Sequence, residues 1–301
     1  MDSEQLKQLF TNITVWRRGA ERAPHKPLLL LYALGKCQRG DPRVIPYAEI
    51  APALQQLLRE FGPPRKSYHS EYPFWWLQHD GVWELHGAEH VTLRHGHTDA
   101  KKSALLKHGV TGGFPALIYE ELRENPRLLN EITLGLLDHH FPHSMHEDII
   151  SAVGINVGIE TVTRRTRDPQ FRLRVLTIYA YTCAVCGFDV RLGETALGIE
   201  AAHIKWYQAG GPDSETNGLA LCILHHKLFD RGAFTISRDR QVQVSEYAYG
   251  STGFAEWLLA FHGKPLRPPH SPHYAPKEEY LHWHLHQVFR GPARYLSGSN
   301  S

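Results

Sequence analysis

Two short stretches of the chain, "TCAVCGFDV" at 182–190 and "LCILHHKLFD" at 221–230, carry Cys183 and Cys186 in a C-x-x-C step and Cys222 and His225 in a C-x-x-H step. Three thiolates and one imidazole, two from each tight turn, make the donor set of a tetrahedral Zn²⁺ site. A redox reading of the first pair leaves the second pair without a purpose. Protein ligands fill all four positions, so the expected zinc is structural and leaves the chemistry to its neighbours.

Between the two steps lie the strand-like runs "LGIEAAHIKW" and "NGLALC", joined by the turn-rich "YQAGGPDSET" and followed by the helical "HHKLFDRGA". The expectation is a β-hairpin followed by a helix, stapled by the zinc. These segments resemble the HNH nuclease motif, the ββα-metal fold, in the subgroup with an accessory zinc, over about residues 171–236. The resemblance assigns His203, Asn217 and His226 to the motif's three positions, on the first strand, the start of the second strand and the start of the helix. It implies an endonuclease that hydrolyses phosphodiester bonds with a divalent ion, Mg²⁺ or Mn²⁺.

Hydrolysing a phosphodiester takes an activated water and a cation to neutralise developing charge. A neutral imidazole at His203 suits the base, His226 suits a metal ligand, and the Asn217 amide is expected to hold the hairpin and orient the base. The common motif often has a second metal ligand just before the base, where this chain has Ala202. Glu200, two positions earlier and on the same strand face, is the expected replacement, with an exposed strand carboxylate as the alternative. Lys227 and Arg231 read either as phosphate contacts or as solvated cations.

These residues need elements to carry them and a reader to choose the target. The pattern in the N-terminal half predicts helices over 1–18, from about 28 to 37, and over 47–61. Aromatic and β-branched segments over 68–94, broken at Asp80-Gly81, predict a hairpin. Helical patterns return near 101–108, 114–123, 126–141 and 144–160. "ERAPHKPLLLLYALG" and "YHSEYPFWWL" resemble the sulfur-binding domain found ahead of HNH domains in phosphorothioate-dependent, type IV-like restriction endonucleases. That resemblance implies a pocket for a phosphate whose nonbridging oxygen is replaced by sulfur, which is softer and poorly hydrated. Tyr72, Pro73, Phe74 and Trp76 would form its wall, and His25, Lys26 and Arg94 would hold the oxygens. The alternative reading places Tyr72 to Trp76 in the core and His25-Lys26 at a helix entrance.

Between 160 and 174 five arginines, Arg164, Arg165, Arg167, Arg172 and Arg174, surround an Asp-Pro break. They read as a basic linker that touches DNA, or as a solvated charge run. The 33 Lys+Arg against 31 Asp+Glu give only +2, so a nucleic-acid surface must be local. No apolar run approaches the roughly 20 residues of a membrane span, and four cysteines in 301 residues do not make a disulfide framework, so a cytoplasmic protein is expected. The 21 histidines are expected to be mostly surface residues. A helix over 275–291 follows a proline-rich strap.

The expected class is α+β: a mixed α/β DNA-reading domain at 1–150, a basic linker at 151–170, and an HNH nuclease domain with a helical extension at 171–301. The expected partner is double-stranded phosphorothioated DNA, with a homodimer left open. A nuclease that reads a methylated base, and a zinc module that binds DNA without cutting it, are the competing readings.

Overall fold

The computed structural model describes residues 2–15, 21, 23–94, 98–157 and 169–295. The chain divides into two compact units, residues 1–163 and 164–301. Among the described residues no helix is long and apolar enough to cross a membrane.

The N-terminal unit is built around one helix. α1 (Ser3–Thr11) opens with a capping box in which the Asp2 carboxylate accepts from the Gln5 N–H at 2.7 Å. α2 (His25–Gln38) carries an unbroken apolar run, and Leu28, Leu29, Leu30, Leu31 and Leu34 are fully buried. A helix apolar on all sides has to be surrounded. Accordingly it packs against α3 (Tyr47–Phe61), α4 (Glu71–Trp76), α6 (Ala116–Glu124), α7 (Pro126–His140) and α8 (His146–Val153), with α5 (Lys102–Lys107) beside α3.

A three-stranded antiparallel sheet, β1 (Val44–Pro46), β2 (Glu84–His86) and β3 (Thr111–Gly113), has β3 at its centre, with Ile45 and Leu85 both opposite Gly112. The glycines of that strand are required by close approach. A Cβ on Gly113 would lie 2.0 Å from the Arg43 carbonyl oxygen.

Three expectations need correction here. The hairpin at Asp80-Gly81 does not form, because "EYPFWW" is α4, with Pro73 in the first turn where its missing N–H costs nothing. Leu77–Asp80 continues as a 3₁₀ turn ended by Gly81 at φ 76°, and β2 pairs with a strand far along the chain. The first helix stops at Thr11 rather than residue 18. The 151–170 linker is shorter than expected: α8 reaches Val153, Arg39 Nη1 donates to the Val153 and Gly154 carbonyls, and α9 begins at Pro169.

The C-terminal unit contains α9 (Pro169–Ile178), a small ladder of β4 (Arg191–Leu192) and β5 (Thr195–Ala196), and the hairpin β6 (Ile199–His203) with β7 (Gly218–Cys222). Register pairs Ile199 with Cys222 and His203 with Gly218. α10 (Ile223–Asp230) follows directly, then the hairpin β8 (Phe234–Ile236) and β9 (Val242–Val244), α11 (Thr252–Trp257) and α12 (Glu278–Gln287). The ββα unit is thus β6, β7 and α10. Phe171, Val175, Leu219, Leu221, Phe229 and Phe234 share its core. α12 is pinned to α10 by His284, which stacks on Phe229 at 3.7 Å and is bonded through both ring nitrogens, to the Thr235 hydroxyl and the Phe229 carbonyl.

Candidate active site and DNA-reading pocket

The metal-site residues come together from the two turns. The ligand atoms of Cys183, Cys186, Cys222 and His225 all lie within 4.8 Å of one another. His225 Nδ1 is 3.1 Å from Cys222 Sγ and 3.8 Å from Cys183 Sγ, and Cys186 Sγ is 3.9 Å from Cys222 Sγ. The other ring nitrogen, Nε2, donates to the Trp257 carbonyl at 2.8 Å. That bond leaves Nδ1 as the ligand and ties α11 to the site. Cys37 stands apart in α2, where burial pushes its thiol up to about 11.

His203 ends β6 with its ring stacked on Phe171 at 4.0 Å, and its Nε2 lies 2.7 Å from Asp213 Oδ1. A proton on Nε2 donated to Asp213 places the lone pair on Nδ1. Asn217, at 0% exposure, binds the loop between the strands: its Oδ1 accepts from Lys205 N–H, and its Nδ2 donates to the Lys205 and Pro212 carbonyls. So Asn217 holds the hairpin loop, and Asp213 holds the His203 ring. Close packing of that plug demands Gly211, where a Cβ would sit 1.8 Å from the Lys205 carbonyl oxygen.

On α10, His226 lies between two carboxylates. Its Nδ1 is 2.7 Å from Glu200 Oε2, and its Nε2 is 3.2 Å from Asp230 Oδ2. Burial acts to lower the His226 pKa, but the buried Asp230 and then Glu200 outweigh it and hold it up at about 10, so a divalent ion taken at Nδ1 would displace a proton from that nitrogen. Glu200 therefore faces His226 rather than solvent alone. A carboxylate oxygen and a ring nitrogen, backed by a second carboxylate on the far nitrogen, are donors that fit a hard or borderline divalent ion.

Asp213 and Asp230 were missed by the sequence reading. Asp230 had a signal, the i,i+4 spacing from His226 on one helix. Asp213 had none beyond being an acid in a long turn.

The expected basic face is reassigned where it can be described. Arg174 braces the loop between β6 and β7, with Nε 2.7 Å from Glu215 and Nη2 donating to the Asp213 carbonyl, and Arg172 donates to the Ile199 carbonyl. Arg164, Arg165 and Arg167 lie outside the described residues.

In the N-terminal unit the predicted pocket is partly rearranged. Phe74 is at 0% exposure against Tyr47 and Trp83, and Pro73 is also buried, so both serve the core. The Lys26 ammonium pairs with the buried Asp80 carboxylate, which also accepts from Thr14 N–H. His25 is pushed down to about 4, first by burial and then by Arg65 and His69, so it is neutral at pH 7.

What remains is centred on half-buried Tyr72. The His69 ring stacks on it at 4.9 Å and the Arg94 guanidinium lies 5.4 Å from its centroid. The buried Glu71 carboxylate holds both neighbours, at 3.0 Å from His69 Nδ1 and 2.9 Å from Arg94 Nη2. Trp76 is 37% exposed and donates to Asp99. Such a rim combines an aromatic face, a cation and an imidazole.

Comparison with known proteins agrees with this division. Residues 3–157 match the model of the ScoMcrA-like DNA sulfur-binding domain, and residues 183–237 match that of an HNH endonuclease. Among solved structures, the sulfur-binding domain of ScoMcrA complexed with phosphorothioated DNA is similar at 24% identity and TM-score 0.44, covering 50% of this chain and 94% of that one. The corresponding SprMcrA domain, also complexed with phosphorothioated DNA, is similar at 22% and 0.43, covering 52% and 95%. The modification-dependent TagI restriction endonuclease is similar at 26% and 0.32, covering 44% and 41%. No curated protein matches. With the first model spanning just over half of its residues, the chain belongs to the ScoMcrA-like DNA sulfur-binding family and carries an HNH endonuclease domain behind that reader.

Proposed function

We propose that the protein is a modification-dependent DNA endonuclease that binds phosphorothioated duplex through its N-terminal unit and hydrolyses phosphodiester bonds through β6, β7 and α10. The observation that carries this is the pairing of His203 with Asp213 and of His226 with Glu200 and Asp230 on one Cys₃His-stapled ββα unit.

In the proposed reaction His203 takes the proton of the attacking water on Nδ1. Asp213 holds the ring by its Nε2–H and stabilises the imidazolium that results. Glu200 and His226 hold a divalent ion, Mg²⁺ or Mn²⁺, whose chemistry is to neutralise charge on the phosphate. Asp230 fixes the His226 tautomer so that Nδ1 faces Glu200. Cys183, Cys186, Cys222 and His225 hold a structural Zn²⁺, and a reducing, cytoplasmic setting keeps those thiols available to it.

In the reader, a poorly hydrated sulfur would lie against the Tyr72 ring while Arg94 and His25 hold the remaining oxygens. One experiment tests the whole reading: a duplex in phosphorothioated, methylated and plain forms, incubated with Mg²⁺ or Mn²⁺. Cleavage of the phosphorothioated form alone, only with added metal, is expected. Preferential cutting of the methylated form transfers the reader to a modified base, and no cutting of any form leaves a zinc module that only binds.

A further inference from the structure

An open cavity of about 540 Å³ in the N-terminal unit is lined by Arg94, Lys101, Lys102, Ser103 and Leu106. Three of the five are cations and none is acidic. Local backbone pairing builds it: Leu93 bridges Ala100, Arg94 N–H donates to the Asp99 carbonyl, and Lys101 N–H donates to the Thr92 carbonyl. These pairings bring Arg94 beside Lys101 and Lys102 at the start of α5.

The cations of this unit fall into two groups. Lys7, Lys26, Lys36, Arg39, Arg43 and Arg65 each pair with a carboxylate. Lys101 and Lys102, like Arg59, Lys66, Lys107 and Arg123, have no carboxylate partner among the described residues, and of these only Lys101 and Lys102 line the cavity. Arg94 gives Nη2 to Glu71, while its Nε is buried with no partner. Three neighbouring like charges repel one another, and the arrangement favours a polyanion that spans all three.

Arg94 also links this cavity to the reading pocket, since the same guanidinium lies over Tyr72. A duplex whose modified linkage meets Tyr72 carries further phosphates along the same strand. We infer that the Arg94–Lys101–Lys102 cavity is a backbone clamp for those neighbouring phosphodiesters, with the partly exposed Leu106 and Ser103 toward the sugars. The inference rests on the DNA-binding reading above. It divides the labour: the clamp supplies affinity without regard to sulfur, and Tyr72 supplies the preference.

The test measures binding of the full chain to plain and phosphorothioated duplex without added divalent ion, over a range of chloride concentrations. Lys101→Gln with Lys102→Gln is expected to weaken both duplexes by about an order of magnitude at low salt. The slope of log affinity against log salt should shrink by about 1.8, and the sulfur preference should stay unchanged. Lys107→Gln, an exposed lysine of α5 that does not line the cavity, is the control and should change the slope by less. An unaltered slope in the double variant overturns the clamp. So does an equal loss in the control, a loss confined to phosphorothioated duplex, or displacement of duplex by inorganic phosphate beyond chloride of equal ionic strength. A wild-type chain without sulfur preference whose salt slope still depends on Lys101 and Lys102 rejects the sulfur reading and leaves the clamp standing.

Discussion

In the C-terminal unit the carboxylates Asp213, Glu200 and Asp230 each hold only a histidine ring among the pairs described above, whereas in the N-terminal unit Asp80 holds a lysine and Glu71 an arginine together with the His69 ring. The first arrangement tunes which ring nitrogen carries a proton, which is what hydrolysis needs. The second removes cations from the surface or aims them, which is what selective binding needs. The stabilising element differs too: four metal-type ligands in one unit, and a helix buried on all sides in the other. A small nuclease fold with a short hairpin gains most from a metal staple, while the larger helical unit has enough apolar surface of its own.

The largest test of that contrast is removal of zinc. Purified protein should hold one zinc per chain, and Cys183→Ser or chelation should unfold the C-terminal unit, since structural zinc contributes about 10–16 kcal/mol in small zinc-dependent folds. Duplex binding by the N-terminal unit should survive, and circular dichroism alongside a binding assay separates the two. Loss of both activities together would break the contrast.

His203→Ala should lower cleavage about 10²–10⁴-fold with zinc content and duplex binding unchanged, because the base acts only in chemistry. Near-normal cutting would remove His203 from that role. In the reader, Phe74→Ala should cost about 3–5 kcal/mol of stability, as for other buried phenylalanines, while Tyr72→Ala should leave stability nearly unchanged and abolish the sulfur preference. A reversed outcome would return Tyr72 to the core and Phe74 to the pocket.

Asp230→Asn should weaken binding of the divalent ion about 10–100-fold, read by calorimetry with Mn²⁺ rather than by activity. Unchanged affinity would make Asp230 a fold residue only.

The last effect concerns pH. His25 has its folded pKa depressed to about 4 from an ordinary 6.5, so between those values the unfolded chain binds more protons. Stability of the N-terminal unit should be full above about pH 6.5 and decline as pH falls toward 4. His25→Gln should flatten that window in a denaturant titration.

The Cys₃His cluster was legible because each of its two steps is local. A C-x-x-C turn, a C-x-x-H turn and a strand-to-helix step are set by a few residues of backbone geometry, so residue order along the chain predicts which side chains meet. Glu200 could be read the same way from strand alternation, and it meets His226 across the ββα unit. The long helices followed from apolar periodicity, and α3 has the predicted bounds.

The reading pocket was legible only as a composition of aromatic and basic residues. Which aromatic lies inside and which lies at the rim depends on what packs behind α4: Tyr47 and Trp83 come from distant segments and bury Phe74, leaving Tyr72 outward. The Lys26–Asp80 pair closes over a separation of 54 residues, and Glu71 reaches Arg94 over 23. Local sequence signals say nothing about such partners, because long-range pairing is decided by how the whole core closes. Residue types and short spacings therefore determined which histidines and cysteines come together, and only the tertiary structure decided which carboxylates hold the His203 and His226 rings and which charges are spent within the fold.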